Sequence, residues 1–162
     1  MPVVARICTA LDIRVHEFSG AIGPADIFKL AAFYRQHPHL VHADIISFVD
    51  ETTTGADLLL SQLETLRIEF QRLHASAQLS LVRRSAWVCP NLAAWRLLED
   101  FLGQRHSRDI QGTEVCLVAS LSEADCMFEP DELRAVEARD GFQELFRIES
   151  INTDQASVPR NA

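Results

Sequence analysis

Three groups of residues have types and spacings that could carry chemistry. The stretch VDETTTGADLLL, Val49 to Leu60, sets three threonines between an acidic pair and Gly55. A helix that starts here presents unpaired backbone N–H groups. A phosphate on Thr53 or Thr54 would be held by the helix dipole and by amide hydrogen bonds. The plainer chemistry is a cap, in which the Thr54 hydroxyl accepts from the donors of Gly55 to Leu58 and Asp57, three positions on, completes a capping box. Asp50 and Glu51 favour the cap, because they repel added negative charge.

The second group is imidazole. HPHLVH places His37, His39 and His42 close enough in sequence to share a transition metal. They precede a strand, however, instead of sharing one helix turn. No cysteine or carboxylate completes a ligand set before Asp44, so the expectation is solvated loop histidines and no metal. His16, beside Glu17, is a formal general base, although a lone strand histidine is more often structural. Nucleophilic catalysis needs Ser or Cys converging with His and an acid. No Gly-x-Ser-x-Gly elbow, phosphate-binding loop or dinucleotide fingerprint occurs, so the expectation is a non-enzyme with no cofactor, with a small enzyme of unknown reaction as the residual alternative.

The third group is aromatic. Phe28, Phe33 and Tyr34 on one helical stretch, with Trp95 and Phe101 on another, are more bulk than one narrow stripe hides. They can pack beneath C-terminal helices, line a pocket for an apolar small molecule, or form a face that pairs in a twofold homodimer.

The elements that must position these residues follow from composition and periodicity. A chain of 162 residues with 48% hydrophobic and 23% charged residues suits one globular domain with a real core. A net charge of −8, spread along the chain, argues against nucleic acid as a partner. No run approaches the roughly eighteen apolar residues that a membrane span needs. Arg6, Asp12 and Arg14 interrupt any signal-peptide core, and the expected location is the cytoplasm. Cys8, Cys89, Cys116 and Cys126 are scattered, so they are expected to be reduced, buried, small apolar residues.

VVARICT and IRVHEFS read as a hairpin. GAIGPADIFKLAAFYRQH reads as a helix, with Pro24 at its first position, Ile27, Leu30, Ala31 and Tyr34 on one face, and a stop at His37-Pro38. ADIISFVD and SAWVCP read as buried parallel strands. Leu59, Leu63, Leu66, Phe70 and Leu73 make a helical stripe over about Ala56 to His74. Asn91 caps a helix bearing Leu92, Trp95, Leu98 and Leu102, and EVCLVAS is the last expected strand. A fourth helix follows, with Ser120 and Glu123 in capping-box spacing. PDELRAVEARDGFQELF reads as a fifth, weakened at Gly141. After the hairpin, each strand is followed by a helix, which predicts right-handed crossovers.

FSGAIGPADIFKLAAFYRQHP, IISFVD with its terminal aspartate, RRSAWVCPNLAAWRLLEDFLGQ and TEVCLVASLSEADCMF together resemble the SpoIIAA-like branch of STAS proteins over roughly Arg6 to Phe128. In that branch a glycine after the second strand, an aspartate ending the third and a final strand followed by a small-residue helix recur in this order. The resemblance implies a STAS-like α/β sandwich of about five mainly parallel strands with an N-terminal hairpin and four to five helices. A single domain would span 1–148, with a helical extension from about 129 and a polar tail over 149–162. It implies a non-catalytic regulatory or binding module, bacterial in type, acting through protein contacts. The other function it implies is a carrier or sensor of a lipid-like apolar molecule. In the related anti-sigma antagonists a serine at the start of the helix after the third strand accepts phosphate. Thr53, Thr54 and Gly55 hold that place here.

Overall fold

The computed structural model describes residues 3–54, 61–65, 68–69, 72, 84–103 and 114–149. The expected hairpin is present: β1 (Val3–Cys8) runs antiparallel to β2 (Ile13–Phe18), with Val3 opposite Phe18 and Cys8 opposite Ile13. Then β3 (Asp44–Val49), β4 (Arg84–Val88) and β5 (Glu114–Val118) add one after another as parallel neighbours. The β-branched and aromatic residues of β3 favour this buried setting, and both faces of the sheet are covered.

Alternation along each strand divides the core in two. Phe18, Val49 and Cys89 face α1 (Pro24–Gln36) and α2 (Leu92–Gly103), together with Leu30, Tyr34 and Leu98. Ile13, Val15, Ile46 and Val88 face a 3₁₀ turn (Leu121–Cys126) and α3 (Pro130–Ala138), together with Ala124, Phe128 and Val136. α1 begins at Pro24 and buries Ile27, Leu30, Ala31 and Tyr34, as its periodicity predicts. Arg84 fastens α3 to the sheet through Asp44 and Glu132, at 2.7 and 2.8 Å, with its guanidinium 4.4 Å from the Phe128 ring.

Several expectations need correction. A sixth strand, β6 (Gln143–Ile148), pairs antiparallel with β1, so the order is β5-β4-β3-β2-β1-β6. The helix expected through Gly141 stops at Ala138, where Arg139 turns left-handed at φ 57°. That conformation is costly for a side-chain-bearing residue. It is offset because Arg139 reaches Glu17 at 2.6 Å and lies 4.6 Å from the Phe48 ring. Gly141, at φ 72°, completes the reversal against Cys8. β6 then supplies hydrogen-bond partners to a β1 edge that would otherwise stand open.

Ser120 and Glu123 do pair, at 2.9 Å, but they start a 3₁₀ turn and not an α-helix. Leu92 is 71% exposed instead of lying in the buried stripe, because it sits at the first turn of α2. Of the helix expected over about 56–74, residues 61–65, 68–69 and 72 are helical and Leu63 is buried. The remaining stripe residues, together with Gly55 and Asp57, lie outside the described residues.

Candidate functional site

Two regions bring polar side chains together. The first is the rim at the carboxyl ends of the parallel strands, where loops in such sheets commonly carry function. Thr53 is buried, and its hydroxyl donates to the Phe18 carbonyl at 2.8 Å and to Asp50 Oδ1 at 3.1 Å. The same carboxylate oxygen accepts from the backbone N–H and the hydroxyl of Thr52, at 2.9 and 2.7 Å. Thr52 Oγ1 in turn accepts from the Gly20 N–H at 3.0 Å. Gly20 sits at a φ of 66°, which glycine adopts without strain. Thr54 is held by its backbone, donating to Gly20 O and accepting from Ile22 N, both at 2.9 Å.

Asn91 joins a third connection to these two. Its Oδ1 accepts from the Ala93 N–H at 2.9 Å and from the Ala94 N–H at 3.2 Å. These bonds form the predicted N-cap. Its amide donates to the Thr53 carbonyl at 2.9 Å and to the Glu51 carbonyl at 3.2 Å. The cap on Asn91 was legible from sequence; its grip on the threonine loop was not. The cap expected for Thr54, with Asp57 completing it, falls on a helix start outside the described residues.

The second region lies on the sheet face beneath α1. The Arg14 side chain is 1% exposed, its Nη2 donates to the Val41 carbonyl at 3.2 Å, and its guanidinium lies 4.7 Å from the centre of the Tyr34 ring. Tyr34 Oη and His16 Nε2 share a hydrogen bond of 2.6 Å. Burial, with the Arg14 charge adding, pushes the His16 pKa down from 6.5 to about 3, so its imidazole is neutral at physiological pH. Burial also holds the Tyr34 phenol above its ordinary value. Ser47 stands opposite His16 on β3, fully buried. Among the described residues Arg14 Nε, Arg14 Nη1 and Ser47 Oγ are buried with no hydrogen-bond partner.

Against protein-family models, curated proteins and solved structures, the chain finds no match. The site therefore has to be read from its own chemistry.

The three loop histidines do not converge. His37 donates from Nδ1 to the Phe33 carbonyl and stacks on Phe33, while His42 meets Asp12 at 3.1 Å. His39 is 6.2 Å from His37 between ring centres, and Asp44 is engaged by Arg84. Among the described residues no three His, Cys, Asp or Glu side chains are grouped to hold a metal.

The five aromatic candidates also go separate ways. Phe28 is exposed, Phe33 stacks on Phe146 at 4.8 Å, and Tyr34 belongs to the polar cluster. Trp95 is half-buried against the α1-side core, and Phe101 is buried. All four cysteines are free, but only Cys8 and Cys89 are buried as expected: Cys116 is half-buried, and Cys126 is exposed because it ends the 3₁₀ turn on the surface. Burial pushes the neighbouring Cys116 thiol up to about 11.

Arg14 and Ser47 were not singled out from sequence. The available signal was a charged residue alternating with His16 and Phe18 on β2, which alternation makes visible once that face is known to be buried.

Proposed function

We propose that the chain is a non-catalytic regulatory or binding module of STAS-like type that acts through protein contacts at the rim. One observation carries this reading: the connections after β2, β3 and β4 are cross-tied by Asp50, Thr52, Thr53 and Asn91 into a single surface. Those hydroxyls, that carboxylate and that amide are committed to backbone groups and to one another, which makes the rim a fixed shape. A fixed shape loses little entropy when a partner docks. Asp50, Glu51, Thr52 and Leu92 are exposed on it, an apolar side chain beside an acidic lip. Gly20 after β2 and Asp50 after β3 stand where the family resemblance puts its glycine and aspartate, and both help to build the rim.

The test places a photo-crosslinking residue at Leu92 and, separately, at exposed Glu137 on α3. A discrete protein adduct formed from position 92, absent from position 137 and weakened by Thr52→Ala, is expected. Identical adducts from both positions would refute rim docking.

A second reading, a carrier or sensor of an apolar small molecule, is favoured by a groove of about 350 Å³ between α1 and β6. Stacked Phe33 and Phe146, with Ala32 and Ile148, give its apolar lining, and Lys29, Gln36, Arg147 and Glu149 its polar one. That volume is at the small end for ligand sites. Native mass spectrometry checks it: a bound lipid-like mass should be present in the wild type and lost in Phe146→Ser. A wild-type spectrum without such a mass removes the reading.

A further inference from the structure

The partly buried arginines of this fold follow one pattern. Arg6 sits on Glu17 at 3.1 Å, Arg84 on Asp44 at 2.7 Å and Arg139 on Glu17 at 2.6 Å, and Arg147 pairs with Glu144. Arg14 is more deeply buried than any of these, yet no carboxylate among the described residues contacts it. Tyr34 eases the charge through its phenol oxygen as well as through its ring, 4.7 Å away, and Asp12 attracts it more weakly from a distance. The Val41 carbonyl accepts one hydrogen bond from Nη2. His16, being neutral, contributes no opposing charge.

A buried charge without a contacting counter-charge is among the most costly features a protein interior can hold. Buried water could satisfy the free N–H groups of Arg14, but water does not neutralise the guanidinium. The register adds the decisive detail. Arg14 pairs with Ile45 and His16 with Ser47, so Arg14 and Ser47 rise from the same face of adjacent parallel strands, two residues apart along β3. Arg14 Nε and Nη1 and Ser47 Oγ have no hydrogen-bond partner among the described residues, and both residues are at least nine-tenths buried. Guanidinium and hydroxyl donors supplied together are the recognition chemistry of an anion, and Arg in particular suits carboxylate geometry.

We propose that Arg14 and Ser47 form an internal receptor for one small monoanion, chloride or a formate-sized carboxylate, seated on the sheet face beneath α1. The anion accepts from the free guanidinium N–H groups and from the Ser47 hydroxyl, and supplies the charge that the chain itself does not place there. Tyr34, part of α1, closes the site from above. Loading therefore stabilises the seating of α1 on the sheet. This site is separate from the rim and stands whether or not the rim binds a protein.

The test uses the full chain. Thermal unfolding is followed while chloride or formate replaces gluconate, an anion too large for the site, at constant ionic strength. Wild type should show a saturable rise in Tm, with chloride and formate distinguishing the two anion classes. Ser47→Ala should shift the midpoint of that rise at least several-fold to higher concentration, and Arg14→Met should abolish it. A wild type that responds equally to gluconate, or a folded Arg14→Met that keeps the saturable rise, overturns the proposal. If Arg14→Met does not fold, crystals soaked in bromide decide. An anomalous peak within hydrogen-bond distance of Arg14 in wild type, weakened in Ser47→Ala, supports the site. Water there, with bromide only on the surface, overturns it.

Discussion

The rim and the sheet face beneath α1 both gather polar side chains around strands β2 and β3, and they treat them in opposite ways. At the rim, Asp50 Oδ1 alone accepts three hydrogen bonds, the Thr52 and Thr53 side chains each bridge two partners, and the Asn91 side chain ties four. On the sheet face, three polar atoms of two fully buried residues have none among the described residues. The difference teaches where each region's free energy comes from. Rim hydroxyls hold loops in place, so removing them leaves backbone groups unsatisfied. The Ser47 hydroxyl satisfies nothing within the described chain, and the Arg14 charge is a standing cost until something else meets it.

The largest expected effect probes the sheet face through pH. The folded-state pKa of His16 is lowered from 6.5 to about 3, so between those values the unfolded chain binds a proton that the native chain refuses. Stability is thus fully present above the unfolded value and drains as pH falls toward the folded one, by about 1.4 kcal/mol per unit and by roughly 4–5 kcal/mol in total. Urea unfolding at a series of pH values should show this slope in wild type and a much flatter one in His16→Gln. Glu17 behaves separately. Burial pushes its carboxyl up, but hydrogen bonds from Arg139 and Arg6 together hold it below its usual range, so its contribution fades only at lower pH.

Next in size is Thr53→Val, which keeps the shape and deletes the donor. The Phe18 carbonyl loses that bond, and a loss of about 1–3 kcal/mol in chemical denaturation is expected, largely restored by Thr53→Ser. Asn91→Ala removes a cap and two loop ties, and should cost about 1–2 kcal/mol, with faster amide exchange at Ala93 and Ala94. The smallest effect sharpens the comparison most. Ser47→Ala removes a hydroxyl as buried as that of Thr53, yet in anion-free buffer its unfolding free energy should stay within about 0.5 kcal/mol of wild type or rise. A large loss in Ser47→Ala would mean that the two regions do not differ as described.

Much of this arrangement was legible in the chain. Pro24 and the Ile27–Leu30–Ala31–Tyr34 face locate α1, Asn91 marks the start of α2, and the apolar runs of β3 and β4 announce central parallel strands. The candidate site was legible only in part. The threonine stretch drew notice for a phosphate or a helix cap, whereas its described hydroxyls bind backward, to Phe18 and Gly20 on the preceding connection. Nothing local to Thr52 or Thr53 specifies partners more than thirty residues away in the chain.

What the sequence determined by itself was local: which segments extend, which coil, and which side of each faces inward. Periodicity and terminal residue chemistry act over a few positions, so a linear reading captures them. Tertiary structure decided the rest. Whether the residues after Gly141 continue a helix or cross to the free edge of β1 depended on Glu17 and Phe48, which draw Arg139 into a left-handed turn. Whether Arg14 would be salt-bridged or solitary depended on which side chains α1 and β3 brought to its face. These are outcomes of long-range contact, and the energies that govern them, charge burial and edge pairing, exist only once the layers have assembled.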